Sequence, residues 1–210
     1  MKVFRFIFGL ISLILIPGYA IHFLHLFRYI NFDYIPFRFF FIGLIASVIL
    51  WITIIYRARF FLTFEHEMTH LLVGLLFLKN PAAFWATENE GGFVQLYGHN
   101  FIIGLAPYFL PTISFILMPV NFLIRAKFLP HYFFVLGFFT AYHILSTIKE
   151  FGYWQPDIQQ AGKIFSTIFL ILMNIVCYGI IFAFVFNGFE GSWHFLKNGF
   201  LYSIAFIRRI

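Results

Sequence analysis

The sequence predicts an all-α polytopic membrane protein, and three observations carry that expectation. Of 210 residues, 62% are hydrophobic and only 10% charged, whereas a soluble domain of this size carries about 25% charged residues. Mean hydropathy is +0.91, which excludes intrinsic disorder, because disorder requires low hydrophobicity. The apolar residues, 35 Phe among them, gather into runs of about 20, the length a helix needs to cross the hydrocarbon core of a bilayer.

About six such spans follow in order: Phe4–Leu24, Phe37–Tyr56, Phe60–Leu78, Phe101–Ile124, Tyr132–Ile148 and Ile164–Phe186. The first begins like a signal peptide, with Lys2 and Arg5 ahead of an apolar stretch. That stretch continues past Pro17 with no clean cleavage site, so a retained span is expected. Asn31, Asp33 and Pro36 punctuate the first connection, Arg57 and Arg59 the second, and Arg125, Lys127 and Pro130 the fourth. After the third span, Asn80-Pro81 stops the helix. The short runs Phe84–Thr87 and Phe93–Tyr97 then flank the turn-rich Glu88-Asn89-Glu90-Gly91-Gly92, which predicts a β-hairpin. From Ser192 onward, Trp193, Phe195, Leu196, Phe200, Leu201 and Ile204 mix with Lys197, Asn198 and Arg208-Arg209. That pattern predicts a C-terminal helix lying in the membrane interface. The chain thus divides into two N-terminal helices (1–59), a core (60–162), and a last span with its tail (163–210).

Net charge is +6, but the basic residues stand in ones and twos beside apolar runs, as membrane-flanking residues do. No clustered basic face exists, which excludes nucleic-acid binding. With six spans, Lys2, Arg5, Arg57, Arg59, Arg125, Lys127, Lys197, Arg208 and Arg209 fall on one side. Arg28, Arg38, Lys79, Lys149 and Lys163 fall on the other, so both termini are expected in the cytoplasm of a plasma or bacterial inner membrane. Cys177 is the only cysteine, so no internal disulfide forms. His22, His25, His131 and His194 adjoin span ends or aromatic residues and read as interfacial. Pro107, Pro111 and Pro119 are expected to kink the fourth helix.

The chemistry concentrates in the third span, which contains His66-Glu67-Met68-Thr69-His70. Residues four apart share a helix face, so both imidazoles can address one ion. Glu67 stands beside that ion, where a carboxylate can accept a proton from a water activated by the metal. His-Glu-x-x-His on a helix is the pattern of zinc hydrolases. Glu65, His66, Glu67 and His70 lie within six consecutive positions, and ionisable groups are costly inside a membrane span unless they serve a function.

On these residues the chain resembles the site-2 protease group of intramembrane zinc metalloproteases. In that group the motif lies in a transmembrane helix, a Gly-rich hairpin follows, and an aspartate on a later helix completes the zinc ligands. Gly91-Gly92-Phe93-Val94 is similar to the hairpin's glycine pair, Ala106-Pro107 to the turn after it, and Gln155-Pro156-Asp157 to the family's Asn-Pro-Asp. The likeness covers about residues 60–162. It implies Zn2+ on His66, His70 and Asp157, with Glu67 as general base. It also implies a substrate-binding role for Gly91, Gly92, Phe93, Val94 and Gln155. No glycine follows Asp157, and no PDZ or CBS domain is read.

Asp157 lies nine residues beyond the fifth span, so residues 151–162 must fold back to bring it to the histidines. His143, inside the fifth span, is the alternative third ligand or a group that binds the reacting oxyanion; Glu90 and His99 are further alternatives. The expected function is hydrolysis of peptide bonds in or near transmembrane segments of membrane-protein substrates. The alternatives are a non-proteolytic metal or proton carrier and an inactive scaffold. The partners expected are the lipid bilayer, the substrate and a separate regulatory or delivery protein.

Overall fold

The computed structural model describes residues 2–57, 59–87 and 91–208. In chain order the elements are α1 (Lys2–Leu26), α2 (Ile35–Thr53), α3 (Arg59–Leu76), β1 (Pro81–Ala86), β2 (Gly92–Leu96), α4 (Phe101–Leu105), α5 (Thr112–Val120), α6 (Leu129–Glu150), α7 (Pro156–Ala161) and α8 (Lys163–Ile207). Several of these are long apolar helices, as a multi-pass integral membrane protein requires.

The architecture departs from six straight spans. Among the described residues four helices, Val3–Tyr29, Ile35–Thr53, Ala126–Glu150 and Lys163–Ile207, are long and apolar enough to cross a membrane. A fifth crossing arises if the pair Phe101–Tyr108 and Thr112–Leu123, bent by 83°, counts as one span. The expected third span does form a helix, α3, but Arg59, Glu65 and Glu67 fall within its 18 residues and leave it less apolar than the others. The expected fourth span breaks because Pro107 and Pro111 offer no N–H to continue a helix.

The expected interface-lying tail is corrected as well. Asn187 (φ −146°, ψ 34°) and Gly188 (φ 56°, ψ −149°) interrupt α8 with non-helical backbone, and the chain reverses there. Beyond the reversal Ser192 donates to the Ile180 carbonyl at 3.0 Å. The Phe195 ring fills the place that a side chain on Gly179 would take. The returning helix then runs antiparallel to α1: Ser203 donates to Leu15 O at 3.0 Å and Tyr19 to Leu196 O at 2.9 Å. His22 of α1 stacks between Phe195 and Tyr202, both rings at 5.3 Å. The tail is therefore packed lengthwise against α1, and the basic-residue tally built on six crossings no longer has that frame.

α2 and α6 cross with their backbones in contact. A Cβ on Gly43 would stand 2.0 Å from the Phe134 carbonyl oxygen, and one on Gly137 2.0 Å from that of Phe40. Small residues at a crossing let membrane helices approach this closely. Phe37, Phe40, Leu136 and Phe184 are fully buried around the crossing. A second core gathers Ile103, Leu105, Tyr108, Ile158 and Phe169 from α4, the turn after it, α7 and α8.

β1 and β2 form the expected hairpin, antiparallel, with Phe84 opposite Val94 and Trp85 opposite Phe93. β1 starts at Pro81, earlier than expected, and a register shift lies between Pro81 and Ala83. Thr87 N–H donates to Gly91 O at 2.8 Å, closing the turn. Glu88, Asn89 and Glu90 fall outside the described residues.

Gly137→Ala should destabilise the protein, because overpacking a tight contact costs about 1–3 kcal/mol. The check is the thermal unfolding midpoint in detergent; a wild-type midpoint would contradict the backbone contact.

Candidate metal centre

The site is built from α3, α4, α6, α7 and the hairpin. α3 turns one polar stripe inward, burying Glu67, Thr69 and His70. Thr69 and Thr112 hydroxyls meet at 2.9 Å, which seats α3 against α5. Leu62 packs with Trp51 of α2 and Tyr142 of α6.

His66 and His70 stand one turn apart with ring centroids 4.9 Å from each other. Each commits Nδ1 to a protein oxygen. His66 Nδ1 is 3.0 Å from Glu150 Oε2 at the end of α6, and His70 Nδ1 is 2.8 Å from the Ile103 carbonyl of α4. Acceptors at Nδ1 fix the ring orientation and leave Nε2 as the ligating atom, the usual arrangement of a metal-bound histidine. The Nε2 atoms face Asp157 Oδ2, at 3.9 Å from His66 and 3.4 Å from His70. One donor atom from each of the three lies within 4.8 Å of the others, so the triad can hold a metal ion.

Asp157 reaches the histidines because residues 151–162 fold back, as its place in the chain requires. α6 ends at Glu150, Gln155 N–H donates to Gly152 O at 2.9 Å, and Pro156 opens α7. Proline disfavours helix in the residue before it, and Gln155 is accordingly extended (φ −63°, ψ 131°). Asp157 then falls in the first turn of α7, and Ile158 is buried in the core beneath it. Burial raises the Asp157 carboxyl's pKa, but the His66 and His70 imidazoles facing it outweigh burial and hold the group well below the ordinary carboxylate range.

Glu67 lines a cavity of about 520 Å3 together with the triad, Gly92, Phe93, Val94 and Gln155. The two hairpin glycines serve different ends. Gly91 has φ +81°, a conformation that L side chains rarely adopt. Gly92 allows close approach: a Cβ there would come 2.7 Å from Glu67 Cγ and from Thr63 Cγ2. Gly91 itself borders a neighbouring cavity with Arg59, Lys149 and Gln155.

The alternative ligands stand elsewhere. His143 is not in the cluster; it is fully buried between α6 and α8, with Nδ1 and the Tyr178 hydroxyl 2.8 Å apart. The reason is axial: His143 lies seven residues before Glu150 in α6, about two turns or roughly 10 Å along the helix, and it is Glu150 that stands level with the His66 ring. His99 lines the cavity without joining the triad, its ring occupying the space that a side chain on Gly104 would fill. Glu90 is outside the described residues. Glu150 and the Ile103 carbonyl had no sequence signal, since one looks like a charge ending an apolar run and the other is backbone.

Comparison with family models, curated proteins and solved structures finds no match for this chain.

Glu150→Ala should lower metal affinity by about 10–100-fold, the usual cost of losing a partner that orients a metal-bound histidine. Competition with a chromogenic chelator measures it, and unchanged affinity would contradict the orienting role.

Proposed function

We propose that the chain is an intramembrane zinc metalloprotease of the site-2 protease type, hydrolysing peptide bonds in or near transmembrane segments of membrane proteins. The observation that carries this reading is the convergence of two imidazole nitrogens and a carboxylate oxygen beside a glutamate, in a protein of long apolar helices. Three protein ligands of the N, N, O type with space beside them match a catalytic zinc site. Zinc, when bound, supplies a Lewis acid that acidifies water and polarises a carbonyl.

The chain's own residues account for the rest. His66, His70 and Asp157 hold the ion. Glu67 accepts the proton of the attacking water and returns it to the leaving nitrogen. The sheet has two strands among the described residues, and residues Gly92 to Leu96 of β2 also border the cavity. An unwound substrate segment can add along β2 as a further strand, between it and α7. Gln155, Pro156, Asp157 and Gln160 of the α7 side form the opposite wall.

Glu67→Gln separates this function from a carrier or a scaffold. With single-span membrane proteins co-reconstituted as substrates, the variant should keep its zinc and lose at least about 100-fold in cleavage rate, the lower range of a general base's contribution. Gly92→Ala, whose new methyl pushes on Glu67, should also lose cleavage while keeping zinc. Cleavage that survives Glu67→Gln, or no cleavage by the zinc-loaded wild type across the panel, would contradict the proposal.

A further inference from the structure

α7 has six residues, and a helix that short has no stability of its own. The position of Asp157 therefore depends on what holds the two ends of α7. At its N-terminal end, Ile158 is fully buried, and Gln159 Nε2 donates to Tyr153 O and Trp154 O at 3.2 and 3.3 Å. At the C-terminal end Gly162 (φ 100°, ψ 123°) turns the chain away into α8. That turn leaves the Gln160 and Ala161 carbonyls facing α1. Arg5 of α1 donates to both through Nη1, at 2.8 Å and 3.0 Å.

The placement of Arg5 is unlike that of an anchor at a membrane surface. Its neighbours Phe4 and Phe6 are 65% and 67% exposed, whereas the Arg5 side chain is half-buried and turned onto the end of α7. It passes between two largely apolar clefts of about 320 Å3 each, one against α4 and one against the start of α8. An arginine at a span end ordinarily reaches out to headgroups. A guanidinium on the last carbonyls of a helix makes charge-assisted bonds and complements the negative end of the helix dipole.

We propose that Arg5 is a positioning residue for the metal centre: by gripping the C-terminal carbonyls of α7, it fixes where Asp157 stands relative to His66 and His70. The proposal rests on the metal-site reading and adds a residue more than 150 positions away in sequence from the ligand it positions. Ligand distances in a metal site hold within about 0.2 Å, so a helix free to rock about Ile158 would spoil the geometry without removing any ligand.

The test compares wild type, Arg5→Gln, Arg5→Lys and, as a control in the turn just past the far end of α1, Arg28→Gln. Zinc affinity is read by chelator competition, the coordination geometry by the visible absorption of the cobalt-loaded protein, and the fold by the unfolding midpoint of the metal-free protein. Arg5→Gln should bind zinc about tenfold more weakly, the low end of the range for partners outside the ligand set. It should also alter the cobalt spectrum and keep the metal-free midpoint. Arg5→Lys should recover most of the affinity, and Arg28→Gln should match wild type. Wild-type affinity in Arg5→Gln would overturn the proposal. So would a loss of affinity that tracks a lowered metal-free midpoint and is not recovered by lysine, because Arg5 would then serve only folding. Wild-type protein that takes up no zinc would instead overturn the metal-site reading, and this proposal with it.

Discussion

Two imidazoles, each tied by Nδ1 to a protein oxygen, hold their remaining nitrogens toward one carboxylate, and much of the fold serves to supply those three oxygens. Glu150 is the last residue of α6, which is set in place by the backbone contact with α2 at Gly43 and Gly137. The Ile103 carbonyl belongs to the short helix before the break at Pro107 and Pro111. Asp157 is brought in by a chain reversal directly after Glu150, so one side of His66 and the face opposite it are furnished within eight residues of each other. Ionisable groups in an apolar protein are tolerated when paired and hydrogen-bonded. Here that compensation and the orientation of the ligands are the same set of contacts.

The hairpin and α7 form the two walls above this floor. Gly92 lets β2 come against α3 at Glu67, so the strand edge and the carboxylate are fixed relative to each other. On the other side, α7 relies on Ile158 below and Arg5 at its end. The cleft between them is lined by His66, His70 and His99, by β2 on one side and by Gln155, Pro156, Asp157 and Gln160 on the other. Its position among long apolar helices is what makes a membrane-protein substrate the natural occupant under the proposed function.

The parts legible in the sequence were those with a rigid local rule. The histidine pair and Glu67 follow from helical spacing alone, and Pro156 ahead of Asp157 marks the start of a new helix. The first, second and fifth spans are read by length because each is one uninterrupted helix. Other features depend on geometry that no spacing records. Glu150 beside Lys149 reads as a charge at a span end, and Arg5 reads as the flank of a first span, although both are turned onto protein partners. The reversal of α8 rests on two residues, Asn187 and Gly188, inside an otherwise apolar run. A length ruler passes over such a point, so the tail was expected in the interface when it packs along α1. The same ruler counted α3 as a span, although the polar residues that make the site lower its apolarity, and it joined α4 and α5 across their 83° bend.

The most direct measurement is zinc bound per chain in detergent-purified wild type, His66→Ala, Asp157→Ala and His143→Ala, purified side by side. The account predicts about one zinc in wild type and in His143→Ala, with loss in His66→Ala and Asp157→Ala, as expected for a site of three protein ligands. Zinc retained in Asp157→Ala but lost in His143→Ala would contradict the geometry of the centre. A folded wild type that binds no zinc even when zinc is supplied would contradict the centre itself.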